Sequence, residues 1–128
     1  MKVNAKSSTA NFIGIAPQFR VSDIVKTAEY YSEKFGFNDI EYLANPPVFA
    51  SVKRNEVEIQ LKLDHSAALT AKERKGWDAY IWVDDIFSLA EEFRGRGAQI
   101  IEGPVERPYG CVEIVVIDCN GFKIAFGS

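Results

Sequence analysis

The chain repeats itself at a spacing of 62 residues, and that limits its possible architectures more than any other feature. Val21-Ser22-Asp23-Ile24, followed by Ala28, Glu29 and Tyr31, returns as Val83-Asp84-Asp85-Ile86, followed by Ala90, Glu91 and Phe93. The matched residues are a strand end, a helix cap and a helix start, so both halves open with a strand and then a helix. In the first, Ile24, Ala28, Tyr31 and Phe35 recur at helical spacing; in the second, Ile86, Leu89, Ala90 and Phe93 do so. Ser22 or Asp23 offers the first N-cap and Asp84 or Asp85 the second. Gly36 stops the first helix, and Gly95 and Gly97 end the second.

Short strands follow each helix. They fall at about 38–44, 48–53 and 56–63, with turns at Asn45-Pro46-Pro47 and Arg54-Asn55. The second set falls at about 99–102, 111–117 and 122–127, separated by Gly103-Pro104 and Asp118-Cys119-Asn120-Gly121. Asn120-Gly121 is the strongest hairpin signal. Residues 64–76 read as a polar link, and Met1 to Asn11 as a loose leader. The expected class is α+β: two βαβββ modules, about 12–63 and 77–127, in one domain spanning 12–128.

Composition narrows the function. A length of 128 residues allows one domain with a real core. A net charge of -3 and no basic run longer than two residues argue against a nucleic acid or an anionic membrane as the main partner. No apolar stretch approaches the length of a transmembrane helix. The two cysteines, Cys111 and Cys119, are too few for a disulfide framework. They have no neighbouring histidine to activate them and read as small, reduced core or turn residues. A cytoplasmic location is expected.

Strand alternation sorts the side chains onto two faces. Val57, Ile59, Leu61 and Leu63 oppose Glu56, Glu58, Gln60 and Lys62; Phe122, Ile124 and Phe126 oppose Lys123, Ala125 and Gly127. Phe19 and Val21 oppose Gln18 and Arg20, and Ala79, Ile81 and Val83 oppose Asp78, Tyr80 and Trp82. The apolar faces are expected under the helices. The other faces are candidates to line a shared cleft, because large rings such as Tyr80 and Trp82 on a wet face mark binding.

Further pieces are Glu29-Tyr30-Tyr31 with Phe35-Gly36-Phe37, Gly97-Ala98, Arg107-Pro108-Tyr109-Gly110, Glu113 and Asp118-Cys119-Asn120-Gly121-Phe122. With these the chain resembles the glyoxalase/bleomycin resistance/dioxygenase superfamily, the vicinal oxygen chelate proteins, over about residues 12–127. The resemblance implies a curved mixed sheet around a cleft. In the metal enzymes of that family, the cleft holds a divalent cation on four side chains. Carried over, those positions are Ala16, Glu58, Asp78 and Ala125, and two of them have no donor atom. His65, the only histidine, lies in the link.

The preferred expectation is therefore a metal-free protein that binds a small, antibiotic-type molecule without a cofactor. Its binding residues are expected to be Gln18, Arg20, Glu58, Gln60, Trp77, Tyr80, Trp82, Tyr109, Glu113 and Lys123. The alternative is a lyase, isomerase or dioxygenase with a metal on Glu58 and Asp78, helped by Gln18. Glu58 and Glu113 form a candidate acid–base pair. The resemblance also implies a homodimer, with clefts built from both chains.

Overall fold

A computed structural model describes residues 9–69 and 74–128. Most of the expected leader lies outside the described residues, and Thr9 to Asn11 form no helix or strand. The first module runs β1 (Gln18–Val21), α1 (Ile24–Phe35), β2 (Asp39–Leu43), β3 (Phe49–Arg54) and β4 (Val57–Leu63). A 3-10 turn, Ala67–Leu69, falls in the described part of the link. The second module runs β5 (Ala79–Trp82), α2 (Ile86–Arg96), β6 (Gln99–Glu106), β7 (Val112–Ile117) and β8 (Lys123–Gly127). No helix among the described residues is long and apolar enough to cross a membrane.

The two modules are built alike. Sheet order is β1-β4-β3-β2 in one and β5-β8-β7-β6 in the other. The opening strand pairs in parallel with the last (Gln18 beside Gln60, Tyr80 beside Ala125), and the remaining pairs are antiparallel. The curved sheet is thus two separate four-stranded mixed sheets.

The repeat extends to the helix ends. Asp23 and Asp85 are the N-caps, accepting from Lys26 N and Ser88 N at 3.0 and 3.1 Å. Gly36 and Gly97 close the helices at φ 71° and 76°, where any Cβ is strained.

The strand boundaries depart from expectation at one place. Gly103-Pro104 does not end a strand; β6 continues through it to Glu106, with register shifts between Ile100 and Glu102 and again between Glu102 and Val105. Because β6 is an edge strand, the missing proline N–H costs no ladder bond. Gly103 also lies so close to the Glu113 backbone that a Cβ there would collide with it.

Each sheet turns its apolar face to a helix, and these faces meet in one core. Phe35 and Phe93, one from each helix, lie 5.5 Å apart, and Phe19 stacks on Phe122 at 4.2 Å. The buried Tyr31 hydroxyl donates to Asp118 at 2.7 Å, joining α1 to the turn between β7 and β8. Burial raises the Asp118 carboxyl, despite the donors of Tyr31, Asn120 and Phe122 that favour its charged form. At the rim, Arg54 donates to both carboxylate oxygens of Glu92 at 2.8 and 2.7 Å and also to the Phe35 carbonyl. This partly exposed fork joins the modules with roughly 1 kcal/mol of coupling. A double-mutant cycle with Arg54→Met and Glu92→Gln, read by urea unfolding, is expected to return that value.

Candidate functional site

The helix-covered faces are used up in the core, so the opposite sheet faces point outward and carry the candidate residues. They form two patches. On the first sheet, Gln18 donates to Gln60 at 3.1 Å, and Glu58 accepts from Ser51 and Gln60 at 3.0 and 3.2 Å. Arg20 sits at this sheet's edge in a loose, 3.7 Å ion pair with Asp64.

The second patch is more tightly built. Strand β7 buries Glu113 completely, and three side chains converge on its carboxylate. Tyr80 donates at 2.7 Å, Arg107 at 2.8 Å, and Tyr109 at 2.9 Å to each oxygen. Local sequence explains the convergence. Gly127 is the register partner of Glu113, and a Cβ at Gly127 would collide with the Tyr80 hydroxyl. The absence of a side chain there lets Tyr80 reach from β5 across β8 to β7. Arg107-Pro108-Tyr109-Gly110 closes as a turn, Gly110 N donating to Arg107 O at 3.0 Å, and it folds Arg107 and Tyr109 back over Glu113.

The electrostatics follow from the geometry. Burial pushes the Glu113 carboxyl up, but the Tyr80, Arg107 and Tyr109 donors outweigh it and leave the group below the ordinary glutamate value. Burial, then donation to Glu113, raises the Tyr80 phenol, and Tyr109 is raised for the same reasons. Arg107, shared between Glu113 and Glu102, is held more firmly cationic. At neutral pH the site is one carboxylate under two phenols and a guanidinium.

Beside it runs a ladder of rings. Trp77 to Tyr80 is 5.8 Å and Tyr80 to Trp82 is 4.8 Å, with Arg107 5.9 Å from the Trp77 ring. Trp77, Trp82 and Tyr109 are exposed. The patch presents a wide apolar surface with a fixed polar centre.

Of the ten expected residues, Trp77, Tyr80, Trp82, Tyr109 and Glu113 come together here. Gln18, Glu58 and Gln60 form the other patch, and Lys123 lies on β8 on the same face as Ala125. No hydrogen bond, ion pair or ring contact joins the two patches among the described residues. Glu113 is not an open cleft group, because its oxygens are already occupied by its own neighbours. The Glu58–Glu113 acid–base pairing is corrected for the same reason: the two carboxylates lie on different sheets in separate networks. Sequence reasoning named Arg107 only as part of a family segment and missed Glu102 and Ser51.

The four positions of the metal-binding relatives can be tested directly. Ala16 and Ala125 offer methyl groups. Glu58 is held by Ser51 and Gln60; Asp78 accepts from Lys123 N at 2.9 Å and pairs with Arg74 at 3.4 Å. Among the described residues no three His, Cys, Asp or Glu side chains converge on one point. This donor set does not fit a divalent cation.

The profile of the Glyoxalase/Bleomycin resistance protein/Dioxygenase superfamily matches residues 13–126. The chain belongs to this superfamily. No curated protein matches it. Among solved structures, the bleomycin resistance determinant encoded on transposon Tn5 is 15% identical, with a TM-score of 0.74 over 91% of this chain and 98% of that one. The bleomycin-binding protein of bleomycin-producing Streptomyces verticillus, solved with copper(II)-bleomycin, is 19% identical, with a TM-score of 0.71 over 92% and 97%. UcmS2 is 24% identical, with a TM-score of 0.69 over 88% and 94%. At these identities the likeness is one of fold, and superfamily membership leaves the chemistry to the site.

Proposed function

We propose that this member of the superfamily is a metal-independent small-molecule-binding protein of the bleomycin resistance type. The observation that carries the reading is the second patch: a Trp77–Tyr80–Trp82 ladder, with both tryptophans exposed, beside a charged centre that is internally satisfied. A satisfied carboxylate is a poor base or metal ligand but a good anchor for the rings around it. Planar, partly cationic molecules suit such a surface, since stacking and cation–π contact contribute about 0.5–2 kcal/mol each. The two solved bleomycin proteins add support at the level of fold. The donor mismatch at Ala16, Glu58, Asp78 and Ala125 speaks against the metal-dependent alternative.

The outward directions of the two patches support a homodimer. In our reading, Gln18, Arg20, Glu58 and Gln60 of one copy face the ring ladder and Lys123 of another, and the cleft closes between chains. Free Cys111 and Cys119 are consistent with a reducing, cytoplasmic setting.

Trp77 and Trp82 are the only tryptophans, so their fluorescence reports directly on the patch. Titration with metal-free bleomycin is expected to quench it and to release heat in calorimetry. Trp82→Ala is expected to weaken binding about tenfold or more, as loss of an aromatic anchor does. Absence of both signals removes the antibiotic as ligand. A stoichiometric metal in the purified protein, lost in Glu58→Gln, would restore the enzyme reading.

A further inference from the structure

A pocket of about 210 Å³ is bounded by the end of β1, the 3-10 turn of the link and the turn between β7 and β8. It shares no lining residue with the Trp77–Tyr80–Trp82 ladder. Two arginines, Arg20 and Arg74, line it, and among the described residues no acidic one does. Ser22 and Asn120 add polar groups to its wall, and the exposed Cys119 lies beside them.

Donors exceed acceptors at this pocket. The Arg74 guanidinium carbon sits 3.8 Å from the centre of the Phe122 ring. Its Nε and Nη2 are buried and make no hydrogen bond. These two nitrogens form one edge of the guanidinium fork, spaced to grip two oxygens of a single oxyanion. The nearby carboxylates are already engaged by other donors. Asp78 accepts from Lys123 N at 2.9 Å and meets Arg74 Nε only as a 3.4 Å ion pair. Asp64 accepts from Ser66 N and Oγ at 2.9 and 2.7 Å, and Arg20 stands 3.7 Å away. Asp118 accepts from Tyr31 Oη, Asn120 N and Phe122 N. The first turn of α1 offers no rival site, because the Asp23 carboxylate already caps it. A buried cationic donor with no acceptor is costly, and a bound ion is one of the standard reasons for finding one.

We propose that this pocket binds a small tetrahedral oxyanion, phosphate or sulfate, on Arg74 and Arg20. Arg74 takes it on the Nε–Nη2 edge, and Arg20, with a side chain 68% exposed, supplies the second charge from the rim. Because Asn120 belongs to the β7–β8 turn, the ion joins the first module and the link to the second module. The inference is independent of the ring ladder, of any antibiotic and of the homodimer.

The test is a titration with inorganic phosphate at fixed ionic strength, read at the pocket itself. Cys119 is the reporter, since its thiol is exposed and lines the pocket. In a Cys111→Ser chain, phosphate is expected to slow alkylation of Cys119 by iodoacetamide along a saturating curve, and calorimetry is expected to return the same dissociation constant. Sulfate is expected to protect in the same way. Arg74→Met keeps a long stem over Phe122 without the donors and is expected to weaken phosphate binding about tenfold or more. Arg20→Gln alters only an exposed side chain, so its fold is secure, and it is expected to weaken binding about threefold. Absence of saturable protection overturns the proposal. So does a phosphate affinity unchanged in Arg20→Gln or in folded Arg74→Met. Equal protection by chloride at the same ionic strength also overturns it, because that is general screening and not a site.

Discussion

Glu113→Leu is expected to lower stability by about 1–3 kcal/mol, the usual loss when half-buried donors are left without their acceptor. For a chain of this length that is a fall in melting temperature of roughly 4–12 °C. Leucine fills the volume but leaves the half-buried Tyr80 hydroxyl without its acceptor and Arg107 with Glu102 as its one remaining carboxylate, while the exposed Tyr109 hydroxyl turns to water. Near-UV circular dichroism of the Trp77–Tyr80–Trp82 ladder is expected to weaken, since Tyr80 loses its anchor. Glu113→Gln keeps part of the network and is expected to cost less.

The pH dependence has a definite sign. The folded-state pKa of Glu113 is depressed, so its contribution is complete above the unfolded value, near 4.5, and is lost as pH falls through the folded value. The stability gap between the native protein and Glu113→Gln is expected to be flat around pH 7 and to shrink below about 4.5. Thermal melts across that range measure it. A gap that widens in acid would mean that Glu113 is protonated at neutrality.

Phe35→Ala is expected to cost more, about 3–5 kcal/mol, through lost burial and a residual cavity. Phe35 is fully buried, with edge contacts to Tyr30 and Tyr31 at 5.5 and 5.1 Å and a tilted contact to Phe93 of the other module at 5.5 Å. Because this ring belongs to both halves of the core, urea unfolding is expected to remain one transition with a lower midpoint. Two separate transitions would show that the modules fold independently.

Much of this architecture could be read before any coordinates. The 62-residue echo, the periods of two and 3.6, and the Asp and Gly punctuation gave both helices, their caps and all eight strands in approximate place. Gly103-Pro104 misled because turn chemistry and edge-strand chemistry look the same locally; only the position of β6 at the sheet margin separates them. The site was less legible. Alternation placed Tyr80 on the outward face, but it could not show that Gly127 opens a path from there to Glu113, which only the family segment supplied. Nor could it show that the turn at Arg107-Pro108 returns a guanidinium six residues along the chain. The division into two patches was also hidden, because alternation says which side of its own sheet a residue takes, not how two sheets are oriented.

The hydrogen-only position at 127 ties its own evolution to that of a residue 47 places upstream. While a phenol spans the strand there, any side chain at 127 would have to displace the Tyr80 ring. Once position 80 shrinks to a smaller side chain, the neighbour is released to vary, and a returning phenol would meet whatever side chain had taken the space. A lineage carrying both changes would present a differently furnished surface.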